Sequence, residues 1–99
     1  MPPYRLNEEA KADLVRIYQW GILQYGIEKA DAYFAALFEA FEAIAIAPLT
    51  YPSVAYIRAG YRRCVCGVDN IYYRITDEAV EIMAVLGRQD AENSLRGQD

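Results

Sequence analysis

The chain changes its apolar period at Pro48. Before this proline the large apolar residues recur at helical spacing, and after it they alternate with polar ones. A period near 3.6 lines one face of a helix and a period of 2 lines one face of a strand, so the two halves must adopt different secondary structure. Ala10, Leu14, Ile17, Gly21 and Tyr25 form one helical stripe, widened by Val15, Tyr18 and Ile22. Asn7 precedes it as an N-cap, Glu8 and Glu9 suit the positive end of the helix dipole, and Gly26 suits a C-cap, which predicts a helix ending near Tyr25. A second stripe of Ala30, Tyr33, Leu37, Phe41 and Ile44 predicts a helix from about Glu28 to Ala45 or Ile46. Ile27, Phe34, Phe38 and Ala45 lie beside it, and together the two stripes span an arc of roughly 140°, wider than packing on one surface usually requires. The short link at Gly26 and Ile27 makes the two helices an antiparallel hairpin.

Beyond Pro48 and Pro52 the pattern becomes that of strands. Ser53 to Arg58 reads as a strand or extended loop, and Ala59–Gly60 as a turn. Tyr61 to Val68 reads as a strand, Asp69–Asn70 as a hairpin turn, and Ile71 to Thr76 as the next strand. Val80 to Leu86 is the last strand, with Val80, Ile82, Ala84 and Leu86 predicted on one face and Glu81, Met83 and Val85 on the other. Tyr4 to Leu6 adds a short first strand. The order is β-α-α-β-β-β, and a helical hairpin packed on one face of an antiparallel sheet is a two-layer α+β domain.

Composition narrows the function. A chain of 99 residues with 55% hydrophobic side chains supports one core. The expectation is a single domain over residues 1–90 followed by a polar tail over 91–99. No apolar run approaches the ~20 residues of a membrane span, and the first residues lack a signal-peptide pattern, so a cytoplasmic protein is expected. Histidine is absent, which removes the commonest general base and metal ligand. Cys64 and Cys66 alone make a poor zinc site and read as small apolar strand residues. Glu39 and Glu42 fall on a solvated helix face, and no glycine-rich phosphate loop occurs, so neither a carboxylate hydrolase, a metal centre nor a nucleotide cofactor is expected.

Charge is unevenly placed. The net charge is −4, yet residues 58–74 carry Arg58, Arg62, Arg63 and Arg74 against Asp69 alone. Arginine clustered on an acidic chain reads either as a set of solvated strand side chains or as a contact for carboxylate or phosphate. General coating of nucleic acid would call for a broadly basic domain.

The ordered motifs resemble the ParE/RelE toxins of bacterial type II toxin–antitoxin systems, and ParE more closely. They are Ala10-x-x-Asp13-Leu14-x-x-Ile17-Tyr18, then Gly26 and Ala30-x-x-Tyr33-x-x-x-Leu37, then Ile44-Ala45-x-x-Pro48. Arg58-x-Gly60-Tyr61-Arg62-Arg63, Ile71-Tyr72-Tyr73-Arg74, Val80-Glu81-Ile82 and Val85-Leu86-Gly87-Arg88-Gln89-Asp90 complete the set, which covers residues 4 to 90. The resemblance implies a RelE-like fold and one of two activities: inhibition of DNA gyrase, as in ParE-like members, or ribosome-dependent mRNA cleavage, as in RelE-like ones. A third reading is a non-toxic binding module of the same fold.

RNA cleavage needs an acid and a base beside the phosphate. Relatives often carry histidine followed by arginine after the last strand, where this chain has Gly87 and Arg88. The acidic balance also speaks against ribosome binding. Gyrase inhibition is therefore favoured, with no catalytic residue, no cofactor and no direct sequence-specific binding of nucleic acid. Arg58, Arg62, Arg63, Tyr73, Arg74 and Arg88 are the candidate target contacts. The resemblance further implies a ParD-like antitoxin, for which Trp20, Leu23, Phe34 and Phe38 are candidate apolar contacts and Arg58, Arg62 and Arg63 candidate charged ones. Phe34 and Phe38 read equally as the finish of the core, and Trp20 as the cover of a chain end.

Overall fold

A computed structural model describes residues 4–87 and Leu95. The elements follow the expected order: β1 (Tyr4–Leu6), α1 (Glu8–Tyr25), α2 (Ile27–Ile46), β2 (Tyr61–Cys66), β3 (Asp69–Ile75) and β4 (Val80–Gly87). Asn7 caps α1 as predicted, its side-chain oxygen accepting the Glu9 N–H at 2.7 Å. Gly26, at φ 91°, ends one helix and begins the next. Its N–H donates to the Ile22 carbonyl at 2.9 Å and its carbonyl accepts from Ala30 at 3.1 Å. Gly21 sets the approach of the two helices, since a Cβ there would lie 3.4 Å from that of Ala30.

The sheet order is β1-β4-β3-β2. The meander β2-β3-β4 is antiparallel, whereas β1 lies parallel to β4, so the sheet is mixed. The intervening helices and strands supply the long connection that a parallel pair needs.

Three local expectations change. The β2–β3 turn is Gly67–Val68, and Asp69 and Asn70 belong to β3, opposite Cys66 and Val65. Gly67 has φ 59° while Val68 keeps a negative φ, the pattern of a type II′ hairpin turn. A tertiary contact overrides the turn preference of Asp69-Asn70: the Tyr33 hydroxyl of α2 lies 2.8 Å from both the Cys66 carbonyl and Asp69 Oδ2.

The alternation of β4 also breaks. Tyr72 faces Ala84 and Tyr73 faces Ile82, which leaves Met83 as the extra residue of a bulge. Val80, Ile82 and Val85 consequently face the helices, while Met83, Ala84 and Leu86 face the opposite side. Lastly, of the two readings open for Ser53 to Arg58, strand or extended loop, the strand does not form. A single bridge joins Ser53 to Arg62, and the Ile57 and Arg58 amides then turn back onto the Val54 carbonyl.

Both faces of the sheet are covered. On the first, α1 and α2 bury Leu14, Ile17, Leu37, Phe41 and Ile44 against Cys64, Ile71, Tyr73, Val80, Ile82 and Val85. On the second, Val54 and Ile57 of the 53–58 loop pack with Tyr61, Tyr72, Met83, Ala84 and Leu95. Leu95 falls in the expected polar tail yet is 0% exposed. The other tail positions lie outside the described residues. Among the described residues no helix is long and apolar enough to cross a membrane.

The free part of the β4 edge is met by α1. β1 pairs with β4 only as far as Ile82. Beyond it, Asp13 Oδ2 accepts the Val85 N–H at 2.9 Å and Arg16 Nη2 donates to the Val85 carbonyl at 3.1 Å. Two side chains thus replace the missing strand at one residue, which blunts the edge. Burial pushes the Asp13 carboxyl above its ordinary value, against the opposite pull of the Val85 amide and Arg16.

Candidate functional site

The arginines divide between the two faces, because neighbours along β2 point to opposite sides. Arg62 lies on the helix-covered side, where Nη1 donates to the Tyr51 carbonyl at 2.6 Å. Arg58, Arg63 and Arg74 surround Tyr61 on the second face: Arg74 is its partner across the ladder, Arg63 lies two residues along β2, and the Arg58 guanidinium carbon sits 5.8 Å from its ring. Arg74 is engaged by Glu81 Oε1, at 2.9 Å from Nε and 2.8 Å from Nη2. Arg58 Nη1 donates to the Leu95 carbonyl at 3.3 Å. Arg63 is half-buried, and its Nε is buried with no hydrogen-bond partner among the described residues.

Tyr73, expected among the target contacts, lies inside the core at 0% exposure. Its hydroxyl donates to the Pro48 carbonyl at 2.6 Å and so ties the end of the helical hairpin to β3. Burial pushes its phenol up to about 12, and the phenols of Tyr33 and Tyr61 are raised for the same leading reason. Phenols held neutral in this way are poor general bases near pH 7. Arg88 lies outside the described residues.

The helical hairpin carries a second feature. Gly21 and Ala30 bring the helices together near their link. Towards the other end a groove of about 380 Å³ opens, lined by Leu6, Leu14, Val15, Tyr18, Phe34 and Phe38, with Lys11 and Gln19 at its rim. Its floor belongs to a run of ring contacts: Tyr18 to Phe34 at 5.2 Å, Phe34 to Phe38 at 5.0 Å, and Phe38 to Phe41 at 5.2 Å. Phe34 and Phe38 therefore do both things the sequence left open, packing on the core and lining an open surface. The Tyr18 hydroxyl donates to Asp31 Oδ1 at 2.5 Å across the hairpin, and this bond is the leading cause of its raised phenol.

Trp20 and Leu23 are exposed but do not line the groove. Trp20 stacks edge-on against Tyr25 at 5.7 Å, near the link of the hairpin. The structure thus brings Phe34 and Phe38 together and separates them from Trp20 and Leu23. Sequence reading missed Leu6, Lys11 and Val15 as groove residues. Val15 and Tyr18 were visible as the widening of the first helical stripe, whereas Leu6 carried no such signal.

A family model for the ParE toxin of the type II toxin–antitoxin system parDE matches residues 4–92. The chain belongs to the ParE toxin family. Toxin ParE1 of Caulobacter vibrioides is 41% identical over 86 residues, covering 87% of this chain and 88% of that protein. Toxin ParE1 of Mycobacterium tuberculosis is 30% identical over 94 residues, covering 93% of this chain and 96% of its own. A solved structure of a chromosomal ParDE system from P. aeruginosa superposes with a TM-score of 0.76 at 20% identity, over 88% of this chain and 96% of that one. At that identity the likeness speaks for the fold alone, the two helices on a four-stranded sheet described above.

Proposed function

We propose that the chain is the toxin of a ParDE pair, that it inhibits DNA gyrase in the cytoplasm, and that a ParD-like antitoxin neutralises it by laying an apolar face along the groove between α1 and α2. The groove carries this reading. It is open, lined almost wholly by apolar and aromatic side chains, and backed by a rigid core. Exposed surfaces of that kind mark binding sites for amphipathic partners. Beyond the groove, acidic antitoxin side chains pair with Arg58, Arg62 and Arg63. Without antitoxin, the second-face arginines Arg58, Arg63 and Arg74, together with Arg88, contact gyrase, and the chain acts as a protein inhibitor of a topoisomerase rather than as an enzyme.

Val15, 55% exposed on the groove wall, offers the clean test. Val15→Asp should leave the fold intact and weaken antitoxin binding at least ~10-fold, the loss expected of a buried interface position. Unchanged affinity would remove the groove from the antitoxin contact. A supercoiling assay with purified gyrase, run beside ribosome-dependent mRNA cleavage, tests the target. Trapped linear DNA with intact mRNA is expected; cleaved mRNA with unaffected gyrase would replace the gyrase reading with the RelE-like one.

A further inference from the structure

We propose that Leu95 positions Arg58: its side chain plugs the second face of the sheet and its carbonyl holds the guanidinium over Tyr61, so that Leu95 completes the arginine surface. This rests on the reading of that face as the gyrase contact.

The loop that bears Arg58 has little regular structure of its own. Val54 and Ile57 anchor it, and the Arg58 amide turns back on the Val54 carbonyl at 3.1 Å. That fixes the backbone of Arg58 but leaves a long side chain to be ordered, at an entropic cost that a partner would otherwise meet on binding. Among the described residues, the Tyr61 ring at 5.8 Å and the Leu95 carbonyl at 3.3 Å help to order it in advance. The Leu95 side chain makes the second contact durable. It is fully buried between Val54 and Ile57 of the loop and Tyr61, Tyr72 and Met83 of the sheet, so it joins the two parts that flank Arg58.

Sequence context points the same way. Leu95 is the one large apolar residue between Arg88 and Asp99, and it is the one that the second-face cluster buries. The cluster it joins shares no residue with the core under the helices. Loss of Leu95 therefore loosens the arginine surface while leaving the antitoxin groove, which lies in the other layer, in place.

The experiment is a double-mutant cycle on the full chain, read as gyrase inhibition and as antitoxin affinity. Leu95→Ala and Arg58→Ala should each weaken gyrase inhibition ~10-fold, and the double variant no further, because residues that act through one another are not additive. Antitoxin affinity of Leu95→Ala should fall no further than that of Arg58→Ala, because the groove contacts are kept, and Leu95→Met, which keeps the plug, should restore inhibition. The Arg58 side-chain NH signals should shift in Leu95→Ala. Additive losses, or full inhibition by Leu95→Ala where Arg58→Ala is weak, would overturn the positioning role and leave the gyrase face standing. Full inhibition by Arg58→Ala and Arg63→Ala alike would overturn the gyrase face itself.

Discussion

The two faces of the sheet are covered by different means. Under the helices, two regular elements lay continuous stripes onto β2, β3 and β4, and the cover is made of residues whose spacing repeats. On the second face, a short loop and one leucine from the C-terminal segment close a smaller cluster, with Arg58, Arg63 and Arg74 set around it. Regular elements satisfy their own backbone and can devote a whole face to packing. A loop and a single plug cannot, so their surface keeps room for charged groups. The helix-covered face accordingly carries the larger core and the apolar groove, and the second face carries Arg58, Arg63 and Arg74.

Truncation at the centre of each cluster should expose this difference most strongly. Phe41 is 0% exposed and touches the Phe38 and Tyr4 rings at 5.2 and 5.7 Å. Phe41→Ala should cost about 3–5 kcal/mol in urea unfolding, whereas Leu95→Ala, whose site can collapse with its loop, should cost about 2 kcal/mol. Equal losses would mean that both faces are equally load-sharing parts of one core.

A smaller effect tests where the two layers meet at the β2–β3 turn. Gly67 holds φ +59°, and a Cβ there would sit 2.5 Å from Tyr33 Cε1. Gly67→Ala therefore both strains the turn and displaces the tyrosine that holds Asp69 in β3, at about 2 kcal/mol. A neutral result would show that Tyr33 yields freely and that the turn is set by β2 and β3 alone.

The smallest effect concerns the β4 edge. The Asp13 carboxyl is raised chiefly by burial, so the folded chain holds that proton more tightly than the unfolded chain. This contribution to stability is fully present below the unfolded value and is lost as pH rises through the folded one. Asp13→Asn keeps an acceptor for the Val85 amide and removes the titration. Its stability relative to the parent should thus rise as pH climbs from below the ordinary carboxylate value through the raised folded one, followed by thermal unfolding across that range. A difference that stays flat would leave Asp13 without a net burial cost.

Much of this was legible in the residues themselves. Asn7, Gly26 and Pro48 delimit the helices through capping chemistry and a missing amide, which act within a few residues and owe nothing to the rest of the fold. The apolar stripes of α1 and α2 likewise identify Leu14, Leu37 and Phe41 as core. The site was only partly legible. Phe34 and Phe38 stood out as apolar surplus on α2, but nothing local tells that Val15 and Leu6 join them while Trp20 and Leu23 do not.

Sequence by itself therefore determined the order of the elements, the helical hairpin and the clustering of arginine between residues 58 and 74, because each depends on spacing along the chain. Only the tertiary structure decided which face each arginine takes, where the β2–β3 turn falls and which residue β4 bulges. A one-residue slip reverses the faces of a strand, and contacts from distant elements choose among such registers. Tyr33 holds Asp69 in β3, Met83 stands out of register opposite Tyr72 and Tyr73, and Leu95 reaches the second face from a segment whose composition reads as polar tail.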